Sequence, residues 1–82
     1  ERPKFMPDYM FSEWGRHMVE ECGKIAIRVN IGENKQYHLG QSLYWCKVNF
    51  DYECFIVDCF GDFDNWYFDT QEQAMLFTLA CL

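Results

Sequence analysis

After Lys47 the sequence holds no lysine and no arginine. Residues 48–82 carry seven acids (Asp51, Glu53, Asp58, Asp62, Asp64, Asp69 and Glu72) and so net −7. The part ending at Lys47 holds all seven bases against six acids and nets +1, which gives −6 for the chain. A surface of the second half's sign repels nucleic-acid phosphates and attracts basic partners. Long apolar runs are also missing. No stretch of about 18 apolar residues exists, so nothing in the sequence reads as a membrane-spanning helix. Prolines are confined to Pro3 and Pro7, and there is no repeat, linker or low-complexity tract. No Walker A, G-x-G-x-x-G, G-x-S-x-G or H-E-x-x-H pattern appears, which removes the common local signatures of nucleotide binding and hydrolysis.

Cysteine is present, but without a framework. Its five positions are odd in number and irregular in spacing, and no signal peptide is visible. Such cysteines read as reduced thiols acting as small hydrophobes in a cytoplasmic protein. The chain begins at Glu1 and not at a methionine, which leaves room for residues ahead of it.

The 82 residues are expected to form a single domain, 1–82, with residues 1–7 as an irregular arm. A chain of this size buries only about 60–65% of the surface its unfolded form exposes. Eight Phe, five Tyr and three Trp compensate, since each ring buries roughly 150–250 Å².

"PDYMFSEWGRHMVEECG", residues 7–23, predicts a helix. Phe11, Trp14, Met18 and Cys22 share one face, and Gly23 suits the position just past the end. "KIAIRVNI", residues 24–31, alternates as a strand with Ile25, Ile27, Val29 and Ile31 on one side and Lys24, Ala26, Arg28 and Asn30 on the other. "GENK" turns the chain, and residues 36–39 are ambiguous. "GQSLYWCKVNF", residues 40–50, predicts a short helix beginning at Gln41 or Ser42. Its competing faces are Leu43, Cys46, Val48 and Phe50, or Leu43, Tyr44 and Lys47.

"ECFIVDCFG" predicts a second strand, with Cys54, Ile56, Asp58 and Phe60 opposite Phe55, Val57, Cys59 and Gly61. "GDFDN" has turn composition and "NWYFDT" makes the return strand, so the two form a hairpin. Thr70 and Gln73 match a capping box, with Asp69 the alternative cap and Glu72 placed for the helix dipole. The last helix, 71–82, is nearly all apolar and must be buried against the sheet or by a second copy. The expected fold class is α+β in the order α-β-α-β-β-α, a small antiparallel or mixed three-stranded sheet packed against helices and covered mainly on one face.

Candidate chemistry is sparse. "DFDNW" has the beginning of a calcium loop, but its fifth and sixth positions are Trp66 and Tyr67, where an oxygen ligand and glycine are needed. Asp58, Asp62 and Asp64 remain as a loose carboxylate group. Cys54 and Cys59 are five apart and face opposite sides of a strand, and His17 and Cys22 are five apart, off a common helical face, so neither pair suits zinc. A cysteine nucleophile needs a base, and His17 and His38 are distant in sequence from Cys46, Cys54 and Cys59. Trp66, Tyr67 and Phe68 offer rings for base stacking, but Asp62, Asp64 and Asp69 surround them. No metal ligand, cofactor or catalytic residue is therefore assigned.

Interaction is the remaining class. The expected contact surface comprises Asp58, Asp62 and Asp64 with aromatic anchors among Tyr44, Trp45 and Trp66, and Lys24 and Arg28 share the polar face of the first strand.

Two motifs carry a resemblance: the W-C-x-x-N-F of "YWCKVNF", and "F-x-[ST]-x-E-x-A-x-x-F-x-L" in "WYFDTQEQAMLFTLACL". Over residues 24–82 the chain resembles small uncharacterised proteins of T4-like tailed phages, including marine cyanophages. Those proteins often end in Trp after the last helix, where this chain has Cys81-Leu82. The resemblance implies a βαββα core and a phage or marine-metagenome source, and carries no catalytic residues. The resulting expectation is a non-enzymatic phage accessory protein in the host cytoplasm, binding a protein partner through an acidic surface. The alternatives are a self-associating homodimer and an acidic decoy that occupies a nucleic-acid-binding protein. Direct binding of nucleic acid and contact with a membrane are not expected.

Overall fold

The computed structural model describes residues 13–82. The expected arm 1–7 and the opening of the first helix, Phe11 included, lie outside the described residues. The elements are α1 (Glu13–Glu20), β1 (Ile25–Asn30), α2 (Leu39–Asn49), a 3-10 turn (Tyr52–Cys54), β2 (Phe55–Phe60), β3 (Phe63–Phe68) and α3 (Gln71–Cys81). The fold is α+β, in the expected order. No helix among the described residues is long and apolar enough to cross a membrane.

The sheet is antiparallel throughout, in the order β1-β3-β2. The last strand therefore lies in the centre. Ile27 and Val57 both sit opposite Trp66, and Ile25 and Phe55 both sit opposite Phe68. Period-two alternation then places Ile25, Ile27, Val29, Phe55, Val57, Cys59, Asp64, Trp66 and Phe68 on one face. On this face α2 and α3 complete the main core, which gathers Val29, Tyr37, Cys46, Phe55, Trp66, Phe68, Ala74 and Phe77. Trp66 packs its ring 4.6 Å from Phe77 and runs parallel to Phe68.

The other face carries a smaller cluster. Helix α1 sets Met18 and Val19 against Ala26, Ile56 and Tyr67, and Trp14 meets the Tyr67 ring edge-on at 5.5 Å. Of the α1 face expected to be apolar, Met18 is buried, whereas Trp14 is partly exposed and Cys22 exposed. The helix ends earlier than residue 23. Gly23 adopts φ +69°, and the Lys24 N–H returns across it to the Met18 carbonyl. A left-handed backbone here suits glycine because it has no Cβ to clash.

The hairpin is tighter than "GDFDN" suggests. Phe60 pairs with Phe63, so only Gly61 and Asp62 form the loop. Gly61 has φ +63° and Asp62 does not share that sign, the pattern of a two-residue II′ turn whose twist matches the strands. Phe63 and Asp64 thereby join β3.

Helix α2 starts at Leu39, ahead of Gln41 and Ser42, with His38 as a cap that makes no side-chain hydrogen bond. Ser42 and Cys46 form its buried row, and Val48 faces solvent. Helix α3 carries the expected capping box: the Gln73 N–H donates to Thr70 Oγ1 at 3.2 Å, and the Thr70 N–H donates to Gln73 Oε1 at 3.1 Å. Only Ala74 and Phe77 of α3 are buried.

Candidate functional site

Three side chains form a buried polar relay. Tyr37, in the loop between β1 and α2, donates its hydroxyl to Asp64 Oδ2 at 2.6 Å, and Trp66 Nε1 donates to the Tyr37 hydroxyl at 3.1 Å. Asp64 is 2% exposed and Trp66 fully buried. The carboxylate also influences Cys59, its neighbour across the β2–β3 ladder. A hydrogen bond to Asp64 first, then burial, pushes the Cys59 thiol pKa up. The Tyr37 phenol is likewise pushed up, by burial and then by Asp64. The relay ties the β1–α2 loop to the central strand, and each buried polar group has a partner.

This geometry corrects the acidic contact surface expected from the sequence. Asp64 and Trp66 face the main core and cannot meet a partner, because the α2 and α3 layer closes over that face. Asp58 lies on the opposite face and is half-buried, and Asp62 is exposed in the turn. Tyr44 is 70% exposed on α2, whereas Trp45, next in sequence, packs edge-on against Phe50 at 5.3 Å. The six residues thus divide among two sheet faces, a turn and a helix. Trp66, Tyr67 and Phe68 are all fully buried, so they form no stacking platform for bases.

The cations of the first strand have local roles. Lys24 forms an ion pair with Asp69. Arg28 lies over the Phe63 ring, 4.7 Å from its centroid, and sits opposite Asn65, which sits in turn opposite Asp58.

His17 and Cys22 are closer than helical spacing implies. The helix loosens after Glu20, both Glu21 and Cys22 donate backbone N–H groups to the His17 carbonyl, and Cys22 Sγ comes to 3.7 Å from His17 Nε2. Cys46, fully buried, has its thiol pKa pushed by burial from 9.0 to about 12. Among the described residues no three His, Cys, Asp or Glu side chains are grouped to hold a metal ion.

An apolar recess lies between β1 and α3, apart from the six residues expected to form the contact surface. Ile25, Ala26 and Ile27 of β1 and Gln71, Ala74, Met75, Thr78 and Leu79 of α3 line an apolar groove of about 360 Å³. None of the eight is charged. Met75 is 59% and Leu79 81% exposed. Positions 71, 75, 78 and 79 have the i, i+4, i+7, i+8 spacing of one helical stripe. That spacing was legible in the sequence. What was hidden was that Ala74 and Phe77 would be the buried residues of α3, which leaves a second stripe uncovered.

No protein-family model, curated protein or solved structure matches this chain.

Proposed function

We propose that the chain is a small accessory protein that acts by binding polypeptide through the β1–α3 groove and not by catalysing a reaction. The resemblance to small phage proteins makes a tailed phage its source and the host cytoplasm its place of action. One observation carries this reading. The groove joins an uncharged apolar stripe on α3 to the outer side of β1, an edge strand with β3 on one side and no strand on the other among the described residues. An edge strand offers unpaired N–H and C=O groups, and an extended segment adds to it with alternate side chains in the adjoining pocket. The test is titration of isotopically labelled protein with a short peptide of alternating Val and Thr. Shifts confined to residues 25–27 and 71–79 are expected. Shifts elsewhere, or none, reject the reading.

A second reading has one observation in its favour. Asp51, Glu53 and Asp62 are exposed, and no cation follows Lys47 in the sequence. These exposed carboxylates suit a basic protein partner, including a nucleic-acid-binding protein held as a decoy target. Binding of such a partner weakens steeply with salt and with Asp62→Lys. Binding indifferent to both removes this reading.

A further inference from the structure

We infer that the polypeptide filling the β1–α3 groove is a second copy of this chain. The two copies form a two-fold dimer in which β1 pairs antiparallel with its counterpart and the two α3 stripes meet beside the joined strands. The inference rests on the protein-binding reading above and names its partner.

Three features of the groove select this occupant. The first is shape. The groove asks its ligand for an extended strand to pair with β1 and for apolar side chains to cover Met75 and Leu79. A second copy brings both on one rigid body, and a two-fold axis makes the same patch serve as site and ligand.

The second is charge. The chain carries −6, so indiscriminate self-association is opposed by repulsion. The groove avoids that repulsion. Its eight lining residues are uncharged, and Glu72, the acid of α3, lies outside them. At the start of β1, Lys24 is paired with Asp69 within the same copy. Arg28 is held over Phe63. Asp58 belongs to β2, and β3 separates β2 from the β1 edge. A dimer through β1 therefore keeps the β2 edge away from the contact. A basic partner would find no carboxylate in the groove to meet.

The third is the exposed side chains themselves. Leu79 and Met75 stand beside the open strand, whose six residues hold no proline and pair with β3 in unbroken register, an edge open to further pairing.

The deciding experiment is sedimentation equilibrium of the full chain across a concentration series, with Met75→Lys and Leu79→Glu measured alongside. The wild type is expected to sediment as a dimer. Each variant is expected to raise the dissociation constant on the order of a hundredfold, because a charge is driven into a dry contact. Both sites are exposed in one copy, so circular dichroism and the unfolding midpoint of the monomer should stay unchanged. As an independent readout, mixed labelled and unlabelled protein should give nuclear Overhauser contacts from Ala26 and Ile27 to residues of the other copy. A wild-type monomer at high concentration overturns the inference, and so does a dimer that both variants leave intact. In the monomeric case the peptide titration separates the two ideas. Shifts in the groove keep the protein-binding reading and dismiss only the second copy, whereas silence there dismisses both.

Discussion

Tyr37 and Asp64, 27 positions apart, are joined by a hydroxyl-to-carboxylate hydrogen bond of 2.6 Å inside the protein. Together with the hydrogen bond that Trp66 Nε1 donates to the same hydroxyl, it ties the β1–α2 loop to the central strand. Removing the donor leaves a carboxylate short of a partner where water cannot replace it. Tyr37→Phe should therefore lower the unfolding free energy by about 2–3 kcal/mol, since hydrogen bonds to charged groups are worth more than neutral ones. Urea unfolding checks it. A double-mutant cycle with Asp64→Asn should give a coupling above about 0.5 kcal/mol. A loss equal to that of an exposed tyrosine would mean the relay is not formed in solution.

The acidic and aromatic stretch at 51–70 contains core residues as well as surface residues. Trp66→Ala should cost about 3–5 kcal/mol, the usual range for emptying a packed aromatic site. Tyr44→Ala should stay within about 0.5 kcal/mol, as exposed substitutions do. If Tyr44 instead proves the costlier position in thermal unfolding, the assignment of inner and outer faces given above is wrong.

Alkaline pH should destabilise the fold. Folding raises the Cys46 thiol pKa from 9.0 to about 12 by burial. Below about 9 the thiol is protonated in both states and contributes no slope. Between about 9 and about 12 the unfolded chain releases the proton and the folded chain keeps it. The unfolded state then binds fewer protons, so stability falls as pH rises. Tyr37 and Tyr67, both pushed up by burial, act in the same direction at higher pH. Urea midpoints at neutral pH and at about 10.5 should show the decline. Cys46→Ala should make the dependence shallower.

The cysteines should react in a definite order. Cys22 is exposed, with its Sγ 3.7 Å from His17 Nε2. Cys46 is buried, and Cys59 and Cys81 have their thiol pKa values pushed up. Limited alkylation of the native protein, read by peptide mass spectrometry, should modify Cys22 first and Cys46 last. Modification of Cys46 ahead of Cys22 would show that the α2 layer does not close as described.

Local signals made much of the fold legible. Alternation from Ile25 to Val29 marked β1, Thr70 with Gln73 marked the start of α3, and Gly61 marked the hairpin. Each depends on near neighbours in the chain: the pleat, a reciprocal cap and one left-handed residue. The charge division at Lys47 is likewise a property of the sequence alone. Tertiary structure decided the rest. Only pairing with both β1 and β2 makes β3 central, and that position takes Asp64 and Trp66 from a supposed surface into the core. Only the fold brings Tyr37 from an ambiguous loop to Asp64, because no local rule reports a contact across that length of chain. The apolar run of α3 likewise left open which stripe the sheet would cover. Packing chose Ala74 and Phe77, and so left Met75 and Leu79 beside the open edge of β1.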